Sequence, residues 1–128
     1  MATHSPKDVA AAIKAYDVRG VVGEGAGFLN EEFVRDVAAS FARLMREEGA
    51  ETIVIGHDMR DSSPSLAAAF AEGVNAQGLD TITLGLTSTD ELYYASGVKE
   101  CPGAMFTASH NPAKYNGIKL CRAGARPV

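Results

Sequence analysis

Gly103-Ala104-Met105-Phe106-Thr107-Ala108-Ser109-His110-Asn111-Pro112 begins as an apolar, uncharged run and breaks into a polar loop that sets a hydroxyl, an imidazole and an amide in a row. The first half has the character of a buried strand. Pro112 fixes its own φ and pushes Asn111 away from helix, so the break is a turn and not a helix start. Ser109 is thereby placed where a strand ends and a loop begins, the position at which open α/β sheets bind their ligands. Asn116-Gly117 is a turn signal, because both residues tolerate positive φ. Ile118-Lys119-Leu120-Cys121-Arg122 then alternates as a half-buried strand does. A hairpin of this kind brings Lys119 back toward Ser109, a pairing suited to a group that handles phosphate.

Upstream, helical and strand patterns alternate. Ser5-Pro6 reads as the start of a short helix through about Ala15, after a frayed end. Tyr16 to Val22 reads as an edge strand that runs into a loop with Gly23, Gly25 and Gly27, and Arg19 is a lone cation beside those glycines. Asn30 caps a long helix whose apolar stripe is Phe33, Val34, Val37, Phe41, Leu44 and Met45, with Glu31 and Glu32 in its first turn and Gly49 at its end. Thr52-Ile53-Val54-Ile55 is a buried parallel strand that exits into Gly56-His57-Asp58-Met59-Arg60. Ser63 and Pro64 then open a helix with Leu66, Phe70 and Val74 toward the core and Gly78 as its stop. Asp58, Arg60 and Ser62 allow two readings: a structural ion pair with a helix cap, or an arginine that binds phosphate or orients the serine loop. Thr81-Ile82-Thr83-Leu84 is a further strand, and Thr87-Ser88-Thr89-Asp90 caps a helix that runs to Gly97, with Tyr93 and Tyr94 as packing residues. The alternation predicts an α/β fold: a mixed sheet of about four strands with helices on both faces, parallel except for the last strand, which returns antiparallel through the hairpin.

The chain of 128 residues is about one domain's worth, so residues 1–128 are taken as a single domain. Hydrophobic residues at 46% and charged residues at 22% exclude a disordered chain. A net charge of −4 argues against a nucleic-acid or anionic-membrane surface, and no run is long enough to span a bilayer. Cys101 and Cys121 lack metal-ligand spacing and read as reduced thiols of a cytoplasmic protein. No hydrolase triad is visible: of three histidines only His110 is near Ser109, and Thr-Ala-Ser-His-Asn is not the Gly-x-Ser-x-Gly elbow. A serine that carries a phosphoryl group and passes it on fits better.

Thr107-Ala108-Ser109-His110-Asn111-Pro112 resembles the active-serine signature of the α-D-phosphohexomutases, and Gly103 to Leu120 resembles the bacterial phosphomannomutase/phosphoglucomutase branch. Tyr16-Asp17-Val18-Arg19-Gly20, and Gly56-His57-Asp58-Met59-Arg60 with Ser62-Ser63-Pro64, match as well and in the same order. The resemblance spans nearly the whole chain but only the first of the family's four domains. The chain departs from it at His57, where many members carry arginine, and at Thr89-Asp90, where much of the family has Thr-Pro; no direct role is assigned to His57.

The resemblance implies a phosphohexomutase that interconverts hexose 1-phosphate and 6-phosphate, with mannose or glucose as the sugar, through phospho-Ser109 and a bisphosphate intermediate. It implies His110, Lys119 and Arg19 as catalytic cations or proton carriers, and Tyr16, Arg19 and Lys119 as substrate-binding residues. It also implies Mg2+, touched here only through the phosphate on Ser109, with its remaining ligands on a second domain, and a hexose 1,6-bisphosphate as activator. No Asp-x-Asp-x-Asp loop occurs in the chain. The expectation is therefore a fragment that carries the nucleophile, is inactive alone, and partners with a hexose phosphate and with the remaining domains of the same enzyme. A non-catalytic phosphosugar-binding module is the alternative.

Overall fold

A computed structural model of the chain describes residues 17–23, 29–107 and 115–125. The helix expected over 6–15, Tyr16, the glycines at 25 and 27, Ser109 and His110 lie outside the described residues. The elements run β1 (Asp17–Val21), α1 (Glu31–Glu47), β2 (Thr52–His57), α2 (Ser63–Ala76), β3 (Asp80–Leu86), α3 (Thr89–Lys99), β4 (Gly103–Phe106), β5 (Tyr115–Cys121) and a short 3-10 turn (Ala123–Ala125).

They form a mixed α/β sheet in the order β1-β5-β4-β2-β3. β2 pairs in parallel with both β3 and β4, while β5 is antiparallel to β4 and to β1. The antiparallel return of the last strand is as expected, and with the N-terminal edge strand the sheet has five strands where the sequence suggested about four. The return begins earlier than the sequence suggested. Asn116 and Gly117 do not form the turn; they lie inside β5, opposite Gly20 and Arg19 of β1.

Strand alternation separates the two faces. Ile53, Ile55, Ala104, Phe106, Ile118 and Leu120 point to the side covered by α1 and α2, and share one core with Val34, Val37, Phe41, Met45, Leu66, Phe70 and Val74. Phe70 bridges the layers, its ring 6.3 Å from Phe41 of α1 and 5.6 Å, edge-on, from Phe106 of β4. Val54 and Met105 point the other way and pack on Leu92 of α3. Helices therefore cover both faces.

The ends of the helices follow local chemistry, with two differences from expectation. Asn30 accepts the Phe33 amide at 2.9 Å, and the acidic first turn stands against the positive end of the α1 dipole. Ser88 and Glu91 close a reciprocal capping box on α3. The N-cap of α2 is Ser62, not Ser63, and Ser62 makes no side-chain cap bond. Ser63 is fully buried in helical geometry because its hydroxyl is engaged by Asp58 and Asn116. α3 does not stop at Gly97 but continues to Lys99, with Glu100 in the left-handed region at φ 52°. Tyr94, expected to pack, is 75% exposed, while Tyr93 packs on the Leu92 side of the sheet.

Candidate functional site

The described part of the site lies where β2 and β4 end, the carboxyl edge of the parallel strands. Asp58 directly follows β2 and Thr107 directly follows β4, and the two ends are stitched by the Asp58 amide donating to Phe106 O at 3.0 Å. The Asp58 carboxylate is a hub. Its Oδ1 accepts the Ser63 hydroxyl at 2.6 Å and the Arg60 amide at 3.0 Å, and its Oδ2 takes Arg60 Nε at 3.2 Å. The Thr107 hydroxyl donates to it as well. Partial burial pushes this carboxyl up, but the Ser63, Arg60-amide and Thr107 hydrogen bonds, with the Arg60 charge, outweigh it and hold the pKa below the usual value. Of the two readings of Asp58 and Arg60, the ion pair is present, and both side chains are well covered, at 21% and 12% exposure. His57 turns Nδ1 toward Asp58 O at 2.9 Å, which occupies one ring nitrogen with the backbone.

Asn116 completes the hub. It is fully buried on the apolar face that Ile118 and Leu120 occupy further along β5. Its amide nitrogen donates to Ser62 Oγ at 2.8 Å and Ser63 Oγ at 2.9 Å, and its oxygen accepts the Gly117 amide at 2.8 Å. Reading Asn-Gly as a turn concealed this role. The signal that could have revealed it is the period-2 spacing of Asn116 with Ile118 and Leu120, which marks an amide on a buried face.

The expected cations stand on neighbouring strands of the β1/β5 antiparallel pair. Lys119 stands opposite Met105 of β4 and opposite Asp17 of β1, and is partly exposed. Arg19 stands opposite Gly117, so the backbone positions of Arg19 and Lys119 are diagonal neighbours across the β1/β5 pair. Lys119 is thus on the strand beside β4, which leads into 108–114, and Arg19 is one strand further out. Among the described residues no group of three or more His, Cys, Asp or Glu side chains could hold a metal ion. These residues therefore do not by themselves fit the expected magnesium. Cys101 and Cys121 are free, and burial pushes the Cys121 thiol up, away from a reactive thiolate. Among the described residues no helix is long and apolar enough to cross a membrane.

An open α/β sheet with helices on both faces and a polar, cation-flanked edge at the ends of its parallel strands is the architecture of a ligand-binding α/β domain. Residues 10–128 match the family described as phosphoglucomutase/phosphomannomutase, alpha/beta/alpha domain I, and the chain belongs to this family. It is 42% identical over 118 residues to a protein of Xanthomonas campestris pv. campestris named phosphohexose mutases, covering 91% of this chain and 25% of the relative. It is 40% identical over 116 residues to a phosphomannomutase of Escherichia coli, covering 90% of this chain and 24% of the relative. A phosphomannomutase of Klebsiella pneumoniae is 39% identical over 116 residues, covering 90% of this chain and 70% of that one. The fold is similar to that of a phosphoglucomutase/phosphomannomutase family protein from Burkholderia thailandensis, with a TM-score of 0.81 at 30% identity over 92% of this chain and 27% of that one. The chain spans about a quarter of the length of the first curated relatives it matches.

Proposed function

We propose that residues 1–128 are the phosphoserine-bearing domain of a phosphohexomutase that interconverts hexose 1-phosphate and 6-phosphate, with mannose or glucose as the sugar. The observation that carries this is the family match over residues 10–128, together with a topology that sets Lys119 on β5, beside the β4 strand that precedes Ser109, and Arg19 on β1, the next strand out. Phospho-Ser109 gives its phosphoryl group to the free hydroxyl of a hexose phosphate. The bond from Ser109 Oγ to phosphorus breaks, a bond from the sugar oxygen to phosphorus forms, and the sugar's hydroxyl proton ends on Ser109 Oγ. The bisphosphate then turns over and returns its other phosphate to Ser109 by the reverse exchange. Phosphoryl transfer spreads charge over the equatorial oxygens, so positioned cations supply most of the stabilisation. Lys119 and Arg19 are assigned that task and bind substrate phosphate, His110 carries the proton, and Tyr16 lines the cleft.

Magnesium, if bound, would be held here only through the Ser109 phosphate, where it would neutralise charge, and would need further ligands from elsewhere. A hexose 1,6-bisphosphate is the activator that first loads Ser109. The remaining domains of the same enzyme supply the sugar-selecting surface, and the chain by itself does not turn over. Two free thiols suit a cytoplasmic setting.

The test is peptide mass spectrometry of the chain before and after incubation with a hexose 1,6-bisphosphate and magnesium. Phosphate on Ser109, absent from Ser109→Ala, is the expected result. A chain that binds hexose phosphate equally well with and without Ser109, and never carries phosphate there, is a binding module instead.

A further inference from the structure

We propose that Asn116 is a positioning residue for Ser109. It fastens the strand that follows residues 108–114 to the N-terminus of α2, so that both ends of the serine-bearing segment are tied to one polar hub. The catalytic half of this proposal rests on the Ser109 reading above; the structural half rests on geometry alone.

The two ends are Thr107 and Asn116. Thr107 donates its hydroxyl to Asp58 and its amide to Gly117 O at 3.0 Å. Asn116 donates to Ser62 and to Ser63, and Ser63 donates to the same Asp58 carboxylate. The circuit Thr107–Asp58–Ser63–Asn116 therefore closes around the point where the chain leaves β4 and re-enters as β5. A position under α1 and α2, in line with Ile118 and Leu120, would by default be apolar, since a buried amide is expensive unless its hydrogen bonds are made. Here both amide hydrogens and the amide oxygen are engaged.

Ser62 supports the same conclusion. It holds the N-cap position of α2, yet its hydroxyl makes no cap bond and instead accepts from Asn116. A hydroxyl normally spent on the helix is thus spent on β5. In-line phosphoryl transfer is sensitive to displacement of about 1 Å, which can lose on the order of 100-fold in rate. A clamp on both ends of the segment is what would hold its nucleophile to that tolerance.

The test compares the wild-type chain with Asn116→Ala, Ser62→Ala and the double variant, in two measurements. Amide hydrogen exchange should accelerate in peptides covering 107–117 in Asn116→Ala and, less strongly, in Ser62→Ala, with α1 and β3 unchanged. The rate of phosphate uptake at Ser109 from hexose 1,6-bisphosphate should fall roughly 10-fold or more in Asn116→Ala, with the half-saturating bisphosphate concentration little changed. Adding Ser62→Ala should subtract little further, because the two act as one unit. Acceleration spread evenly over the chain, or none at 107–117, overturns the clamp and leaves Asn116 an ordinary stabilising residue. Local acceleration with wild-type uptake overturns the positioning role. If the wild-type chain takes no phosphate, the Ser109 reading falls, and hydrogen exchange alone decides for or against the clamp. Ser62→Ala removes a single acceptor, so it keeps the comparison open should Asn116→Ala fail to fold.

Discussion

Asp58 is the residue on which most of the described site depends, and its charge has a predictable signature. Its carboxyl pKa is held below the ordinary 3.8. A depressed carboxylate contributes stability that is fully present above the unfolded pKa and is lost as pH falls through the folded one. The stability of the wild type should thus be flat toward neutrality with respect to this group and decline below about pH 4. Asp58→Asn should be less stable than wild type at pH 7 and should lose less on acidification. Urea titrations of both proteins from pH 7 to pH 3 check this; parallel curves would refute it. Lys119 tests the other half of the site. If it stabilises transferring phosphate, Lys119→Met should slow phosphate uptake at Ser109 by about 100-fold, in the range of losing one transition-state donor, while Lys119→Arg keeps part of the rate. Its fold should hold, because the side chain is partly exposed. Equal uptake rates in Lys119→Met and wild type would remove Lys119 from the mechanism.

Among the elements, the α1–α2 pair shows how local space decides the sign of one substitution. A Cβ added at Gly73 would lie 2.6 Å from Arg35 O and 2.7 Å from the Ala38 Cβ, both on α1, so the two helices touch there almost backbone to backbone. Gly73→Ala gains helix propensity of up to about 1 kcal/mol, but overpacking a tight contact costs about 1–3 kcal/mol. The variant should be destabilised. Gly97, in the last turn of α3, has nothing within 4 Å of its would-be Cβ, and Gly97→Ala should stabilise by about 0.5–1 kcal/mol. Thermal or urea unfolding of the two variants should move in opposite directions. Gly97 also shows why part of the fold was not legible. Glycine marks a helix end only where the backbone turns left-handed, and here Glu100 takes that conformation instead. Asn30, Gly49 and Gly78 were read correctly because each meets its local requirement: a side chain that reaches the third amide, and two glycines at φ +96° and +85°. Asn116-Gly117 was misread for the opposite reason. Its turn propensity is local, and the tertiary setting overrides it with the β1 ladder on one side, the Thr107 amide on Gly117 O on the other, and two hydroxyls at the α2 terminus. Asp58 and Arg60 were legible as an ion pair two residues apart, but the bonds from Ser63 and Thr107 depend on tertiary contacts that no short window contains.

For the whole molecule, the proposed function implies a division between loading and turnover. Arg19 and Lys119 stand at diagonal backbone positions on β1 and β5, and β5 pairs with β4, while the described residues hold no three-ligand metal cluster. Under the proposed function, loading Ser109 from a hexose 1,6-bisphosphate is one transfer, which the local cations would assist. A full cycle further requires the bisphosphate to be held while it reorients and its second phosphate to be presented to the same serine. That needs a surface facing this domain from across the sugar. The chain spans about a quarter of the relatives named phosphohexose mutases and phosphomannomutase, leaving three quarters of their length to build such a surface. The chain alone should therefore take up no more than one phosphate per molecule, at Ser109, and then stop. With a radiolabelled bisphosphate and an excess of hexose 1-phosphate, incorporation should reach a plateau and no hexose 6-phosphate should accumulate beyond one equivalent. Continued formation of hexose 6-phosphate that disappears in Ser109→Ala would mean that this domain completes the cycle by itself, and the division between loading and turnover would have to be abandoned.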